Sequence, residues 1–71
     1  MKIIVQIKFG SGKQKIESFG SDRYLVYLNS TKDDPGAMAE FTSMMAKYMT
    51  IPPGRIHYKG KHGESYIFEV D

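Results

Sequence analysis

Apolar residues recur at intervals of three and four positions in one long stretch of the chain. From Ala37 to Met49 they fall on one side of a helical wheel, which predicts an amphipathic helix. Pro35 suits the first helical position, and Asp34 just before it can cap the free N–H groups. The pair Pro52–Pro53 ends the helix, because the residue before a proline is forced out of the helical conformation. Segment 34–56 is therefore predicted to hold the only helix, with its methionine-rich side filling the core.

Shorter segments on both sides of this helix have the patterns of β-strands. Residues 2–9 alternate between apolar and polar positions, as in a strand with one buried face. Residues 23–29 are rich in Tyr, Leu and Val, and residues 55–59 and 65–70 form a hairpin around a glycine-containing turn. Residues 14–19 are short and extended, and we interpret them as a continuation of the first strand around a bulge. The pattern thus predicts four strands and one helix.

The order strand, strand, helix, strand, strand predicts an α+β fold in two layers. One helix covers only one face of a four-stranded sheet, so the opposite face is left open. No internal repeat or linker divides the chain, and residues 1–71 are predicted to form a single domain. The side chains predicted to meet the helix are Ile3, Val5, Ile7, Tyr24, Val26, Leu28, Ile56, Tyr58, Phe68 and Val70.

Composition places the chain among small globular domains. It has 71 residues, of which 41% are hydrophobic and 25% charged, and it has no cysteine. Stability must therefore come from packing or self-association, and a cytoplasmic location, with which the lack of cysteine is compatible, is predicted. No apolar run approaches the roughly 20 residues of a membrane span, and the N-terminal run is too interrupted for a signal peptide, so no membrane contact is predicted. The net charge of +2 is below the density typical of nucleic-acid-binding domains.

Short motifs spread over nearly the whole chain are similar to those of one known family. They are Lys8-Phe9-Gly10-Ser11 with Ile16, Tyr24 to Leu28, Met45-Ala46-Lys47-Tyr48-Met49-Thr50-Ile51-Pro52 at the helix end, Arg55-Ile56, and Lys59-Gly60. On these residues the chain resembles the YggU-like family of small domains, whose biochemical role is not established. The resemblance implies a single YggU-like domain over residues 1–71. It also implies a mixed sheet with the strands in the order first, second, fourth, third.

The sequence also departs from the family pattern at several positions. Phe9 stands where the family has proline, and Thr50 stands where a glycine usually caps the helix. The signature at the helix start falls on residues 35–38, and its asparagine is missing. No functional site is therefore carried over from the family.

A glycine-rich segment after the first strand invites a phosphate-loop interpretation. Gly10-Ser11-Gly12-Lys13 has the right residue types at its end. The full motif also needs a glycine where Ile7 stands, a Ser or Thr where Gln14 stands, and a helix to follow. The segment is therefore interpreted as a turn.

Two histidines supply the only candidates for catalysis or metal binding. His62, Glu64 and Ser65 contain the atoms of a catalytic triad, but they fall in one short turn where neighbouring side chains do not converge. His57 and His62 lack a well-placed third metal ligand. We therefore predict no enzyme activity, no cofactor and no metal site.

The functional hypothesis rests on the open sheet face and on two basic loops beside it. The residues concerned are Leu25, Tyr27, Ile67, Lys8, His57 and Lys59 on the face, and Lys13, Lys15 and Lys61 in the loops. With the second and fourth strands central, Leu25, Tyr27 and Ile67 meet at the middle of the face. We predict a binding module that contacts a protein partner, or a second copy of itself, through this apolar centre.

The alternative function is weak binding of RNA or single-stranded nucleic acid by the same face and loops. Faces that combine aromatic and basic side chains stack bases and hold phosphates. If the loops 10–15 and 59–64 lie at the same end of the sheet, their lysines also form a local anion site.

Overall fold

A computed structural model describes all 71 residues of the chain. Its strands and helix are β1 (Lys2–Lys8), β2 (Lys15–Ser18), β3 (Arg23–Tyr27), α1 (Ala37–Met49), β4 (Ile56–His62) and β5 (Ser65–Val70), with a short 3₁₀ turn at Pro53–Arg55. The helix packs on one face of a mixed sheet, so the predicted α+β class is confirmed. The helix is neither long enough nor apolar enough to cross a membrane.

The sheet has five strands instead of the predicted four, because residues 15–18 form a strand of their own. β2 pairs antiparallel with β3 at one edge, and the strand order is β2-β3-β1-β5-β4. β1 lies at the centre, parallel to β3 and antiparallel to β5. The predicted bulge after the first strand and the strand order implied by the family resemblance are therefore wrong.

The loop after β1 explains this strand order. The N–H of Gly10 donates to the carbonyl of Ser30 at 2.8 Å, and the N–H of Ser11 donates to the carbonyl of Leu28 at 2.9 Å. The chain leaving β1 thus passes over the end of β3 before it enters β2. After the turn that follows β2, the chain returns as β3. This strand lies between β2 and β1 and pairs parallel with β1.

The ends of α1 follow from local chemistry. Asp34 accepts the N–H of Gly36 on Oδ1 at 2.8 Å in the turn before the helix. The helix itself begins at Ala37, with Gly36 at the N-cap and no side-chain cap, so the prediction that Pro35 opens the helix and Asp34 caps it is wrong. At the other end Thr50 adopts the left-handed conformation, with φ 59° and ψ 49°. The N–H of Ile51 donates to the carbonyl of Ala46 at 3.0 Å, which completes the closing turn. A β-branched residue is strained in this conformation, which glycine adopts freely.

The core lies between α1 and the face of the sheet that it covers. Phe41 stacks on Phe68 with 4.5 Å between ring centroids, and no polar side chain is buried. The buried residues are Ile3, Val5, Tyr24, Val26, Leu28, Ala37, Phe41, Met45, Ala46, Ile56, Tyr66, Phe68 and Val70. The methionine side of α1 is part of this core, as predicted.

One predicted core residue lies outside the core. Tyr58 is on edge strand β4 and is 53% exposed, while its partner in the register, Phe68, is buried. The prediction for Tyr58 is wrong because one helix does not reach both edges of a five-stranded sheet.

Candidate binding surface on the open sheet face

The open face of the sheet, turned away from α1, is formed by every second residue of the strands. In the three central strands its side chains are Arg23, Leu25, Tyr27, Lys2, Ile4, Gln6, Lys8, Ser65, Ile67 and Glu69. The only helix packs on the opposite face, so no second layer covers these side chains.

The predicted apolar centre of this face is divided by β1. Because β1 lies between β3 and β5, Gln6 is the neighbour of Leu25 and separates it from β5. Ile67 pairs instead with Ile4, and both side chains are half-buried. The prediction that Leu25, Tyr27 and Ile67 meet at the middle is therefore wrong, because it depended on the wrong strand order.

Tyr27 is surrounded by lysines at the loop end of the open face. Lys13 places its Nζ 4.7 Å from the centre of the Tyr27 ring, a cation–π distance. Lys8 and Lys15 are the residues opposite Tyr27 on the two neighbouring strands. Lys15 also pairs with Glu17 at 3.0 Å, and the hydrogen bond to that carboxylate raises the pKa of Lys15. The structure thus brings four of the predicted binding residues together.

A cleft of about 220 Å³, here called the Phe19 cleft, opens at the opposite end of this face. Phe19, which is 61% exposed, and Arg23 line it together with Ile4 and Gln6. The N–H of Phe19 donates to the carbonyl of Arg23 at 2.8 Å, and this bond closes the turn that presents both side chains. Sequence reasoning missed Phe19 and Arg23. The sequence feature that could have indicated them is an aromatic residue next to a Gly-Ser-Asp turn, a place where an aromatic side chain is not needed to fill the core.

A bulge in β4 changes the faces that its basic residues reach. Tyr58 pairs with Phe68, but Gly60 pairs with Ile67, which leaves Lys59 outside the register. Gly60 has a φ of +146°, which glycine accepts without strain. Residues after the bulge are therefore shifted to the opposite face from the one that plain alternation predicts.

Beyond the bulge, Lys61 lies on the helix side of the sheet. It pairs with Tyr66, and its Nζ lies 5.2 Å from the centre of that ring. The predicted loop 59–64 is mostly strand, with a turn of only two residues. This turn lies at the same end of the sheet as the 10–15 loop, as the anion-site hypothesis requires. The side chains of Lys13 and Lys61 nevertheless lie on opposite faces of the sheet.

His57 lies on the open face at the β4 edge and is engaged within the chain. Its Nε2 lies 2.9 Å from the carboxylate of Asp71, and both side chains are exposed. The hydrogen bond with His57 lowers the pKa of Asp71.

A notch interrupts the sheet where β1 extends beyond the start of β5. The register ends with Gln6 opposite Ser65, and no backbone hydrogen bond joins Ile7 to Glu64 as the next rung would. The notch has a volume of about 210 Å³. Its lining residues are Gln6, Ile7, Lys8, Phe9, Lys32, Lys61, Glu64 and Tyr66, and it is here called the lysine notch.

Glu40 of α1 fixes the loops at this end of the molecule. Its carboxylate accepts the N–H of Asn29 at 2.8 Å, the N–H of Ser30 at 2.9 Å and the side-chain amide of Gln14 at 2.7 Å. Hydrogen bonding from Ser30 and then Gln14 lowers the pKa of Glu40 to about 2. One carboxylate therefore ties the loop before the helix to the loop before β2.

The cations of the open face have few acidic partners. Glu17 is paired with Lys15, and Glu69 is paired with the N-terminal ammonium group at 2.6 Å. Lys8, Lys13 and Arg23 take part in no ion pair. The open face therefore presents unpaired positive charge beside aromatic rings.

The residues considered for catalysis do not converge. Glu64 lines the lysine notch, whereas Ser65 lines the Phe19 cleft, and no hydrogen bond joins either to His62. No three side chains of His, Asp or Glu gather closely enough to hold a metal ion. The absence of enzyme activity stays a prediction.

Fold and surface together define a small α+β domain with one uncovered, basic and partly aromatic sheet face. No family model matches the chain, and no curated protein and no solved structure is significantly similar to it. Membership of the YggU-like family and a cytoplasmic location therefore stay predictions from the sequence.

Proposed function

We propose that this protein is a binding module that holds single-stranded nucleic acid on its open sheet face. The proposal rests on the Phe19 cleft, which is lined by Phe19, with its exposed aromatic ring, and by Arg23. Bases stack on aromatic side chains and on arginine, and such contacts tolerate any base sequence. The side-chain amide of Gln6 adds a hydrogen-bonding group to the same cleft.

The lysines around Tyr27 supply the phosphate contacts in this proposal. Lys8 and Lys13 are free of carboxylate partners, so they can neutralise backbone phosphates without first breaking an ion pair. Arg23 and Tyr27 lie at the two ends of β3, roughly 13 Å apart at the usual rise of a strand. That span suits a short oligonucleotide lying along β3 and β1, with one base in the cleft and its phosphates toward the lysines.

Contact with a protein partner or a second copy, the other function predicted from the sequence, has one supporting observation. Ile4 and Ile67 form a half-buried apolar pair in the middle of the open face. A symmetric dimer through this face places unpaired cations of both copies against each other, which like charge disfavours. The two edge strands are also poorly suited to pair with a strand of another molecule, because β2 has only four residues and β4 carries a bulge and lysines.

The test is fluorescence anisotropy with a labelled single-stranded oligonucleotide of mixed sequence at low and at physiological salt. We expect binding that weakens as salt rises, since phosphate contacts release counterions. Phe19→Ala should weaken it about tenfold, in line with roughly 1–3 kcal/mol per stacked base. Arg23→Ala should weaken binding and also reduce its salt dependence.

Matched controls lie on the helix, away from the open face. Tyr48→Ala removes another half-exposed aromatic ring, and Lys47→Ala removes another exposed cation, so both should leave the affinity unchanged. Absence of binding at low salt, or equal losses in the controls, contradicts the proposal. A dimer in sedimentation that Ile67→Asp converts to monomers assigns the face to self-association instead.

A further inference from the structure

The lysine notch lies at the C-terminal end of β1 and shares Gln6 with the Phe19 cleft, which extends from Gln6 toward Ile4. It exists because β1 continues past the last residue of β5 with which it pairs, while the β4–β5 hairpin turns away at Gly63. A volume of about 210 Å³ compares with about 30 Å³ for one water molecule in the liquid. The notch therefore has room for a phosphate group and part of the group that carries it.

The charge lining the notch is unbalanced. Three lysines, Lys8, Lys32 and Lys61, line the notch against one acidic residue, Glu64, and none of these four side chains takes part in an ion pair. The formal surplus is two positive charges. A phosphate monoester carries about −1.5 to −2 at pH 7, so its charge matches this surplus. A carboxylate or a phosphodiester, with one negative charge, leaves part of it unmatched.

A backbone donor also faces the notch. Ile4 and Lys8 make their backbone hydrogen bonds toward the β3 side, through the Ile4 N–H and the Lys8 carbonyl. Successive residues of a strand alternate sides, so the backbone groups of Ile7 point toward β5, where the rung with Glu64 is missing. The Ile7 N–H is thus directed into the notch that the three lysines line.

The wall of the notch is aromatic. Phe9 and Tyr66 meet edge to face with 6.1 Å between ring centroids, and the Lys61 Nζ lies over the Tyr66 ring. The ring fixes one ammonium group at the notch, and the apolar wall accommodates the carbon skeleton attached to a phosphate.

We propose that the lysine notch binds a phosphate monoester, and that in the bound nucleic acid this group is the phosphate at the end of the strand. The second half of this statement rests on the proposed function, whereas the first half stands without it. The notch then recognises a chain end, because internal phosphates are diesters and carry only one charge.

The experiment compares short oligonucleotides of one sequence with a 5′-phosphate, with a 3′-phosphate and with no terminal phosphate. Affinities are measured by anisotropy competition, and binding positions by amide NMR shifts. We expect one terminally phosphorylated form to bind about fivefold or more tightly than the unphosphorylated form. The added shifts should appear at Ile7, Phe9 and Tyr66.

Lys32→Ala combined with Lys61→Ala should abolish this preference and leave the affinity for the unphosphorylated oligonucleotide nearly unchanged. Lys47→Ala on the helix is the control for the loss of a cation and should retain the preference. Equal affinity of all three oligonucleotides, or a preference that survives the double substitution, overturns the proposal.

A nucleoside monophosphate alone separates this proposal from the proposed function. If oligonucleotides do not bind but the monophosphate shifts the notch amides, the notch assignment stands and nucleic-acid binding fails. If oligonucleotides bind with no effect of the terminal phosphate, and the monophosphate shifts nothing, nucleic-acid binding stands and the notch assignment fails.

Discussion

The covered and open faces of the sheet are built from alternate residues of the same strands, yet they place similar side chains in different environments. On the covered face, Ile3 and Phe68 are opposite each other in β1 and β5, and both are buried. One position along the same strands, Ile4 and Ile67 are opposite each other and only half-buried. The position of α1 alone decides which set becomes core.

This difference indicates that stability and binding are separable in the protein. The covered face buries no polar side chain, so packing determines its contribution. The open face leaves Lys8, Lys13 and Arg23 without ion-pair partners, so packing does not explain their presence. Substitutions on the covered face should change the free energy of unfolding, and substitutions on the open face should change affinity.

The same substitution on the two faces gives the largest expected contrast. Phe41→Ala removes a fully buried ring stacked on Phe68 and should lower the free energy of unfolding by about 3–5 kcal/mol. Phe19→Ala removes a ring that is 61% exposed and should change it by less than about 0.5 kcal/mol. Urea denaturation followed by circular dichroism measures both.

A loss of several kcal/mol can leave so small a domain unfolded. In that case Phe41→Leu, which largely keeps the volume, should cost less than about 1.5 kcal/mol and give a measurable transition. Equal destabilisation by Phe41→Ala and Phe19→Ala breaks the distinction between the faces.

Glu40→Gln should have the next largest effect, because it weakens the tie between the helix layer and the loops. Its carboxylate accepts three hydrogen bonds, and losing its charge should lower the free energy of unfolding by about 1–2 kcal/mol after allowance for partial exposure. Glu64→Gln, at an exposed carboxylate without a hydrogen-bond partner, is the matched control for stability.

The pH dependence of this effect has a definite sign. The pKa of Glu40 is about 2 in the folded protein against an ordinary value of 4.5, so its stabilisation is complete above about pH 5 and is lost as the pH falls toward 2. The difference in unfolding free energy between wild type and Glu40→Gln should shrink over that interval. A difference independent of pH argues against an ionised, hydrogen-bonded Glu40.

Thr50→Gly should raise stability by about 1 kcal/mol, because it relieves the strain of a β-branched residue in the left-handed conformation. Thr42→Gly, within the helix, should instead lower stability by a similar amount. Oligonucleotide affinity should be the same in both variants, since neither residue is on the open face. If the two variants change stability in opposite directions but bind the oligonucleotide equally well, stability and binding are separable.

Glu17→Gln should have the smallest effect on stability and a modest effect on binding. It removes a half-buried carboxylate from the open face and releases the exposed Lys15 from its ion pair, so the urea midpoint should stay nearly unchanged. Oligonucleotide affinity should rise about twofold at low salt, because one more cation becomes available to phosphate. Unchanged or weaker binding argues against the basic part of the face as the phosphate path.

Most of the fold could be predicted from the sequence because its signals are periodic. The helix, four of the strands and most of the core follow from spacing alone. β2 lacks such a signal, since its four residues contain a single apolar side chain, Ile16. Without β2, the central position of β1 was not predictable.

The candidate site could be predicted only in part. The grouping of Lys8, Lys13 and Lys15 around Tyr27 agrees with the sequence hypothesis, because it needs only the correct face of each strand. The Phe19 cleft was missed, because the face of the sheet on which a turn residue lies is set only by the pairing of the strands that the turn connects. The lysine notch was missed as well, because it depends on where β5 starts relative to β1.

The sequence by itself determined which residues form a helix, which residues alternate and which side chains are apolar, because propensity and periodicity act over a few neighbouring residues. The tertiary structure decided the neighbours of each strand, the side reached by Lys61 after the bulge, and the contacts of the Phe19 cleft and the lysine notch. These features depend on pairing between residues far apart in the chain. A shift of one residue in such a register moves a side chain to the other face, and no local pattern encodes that shift.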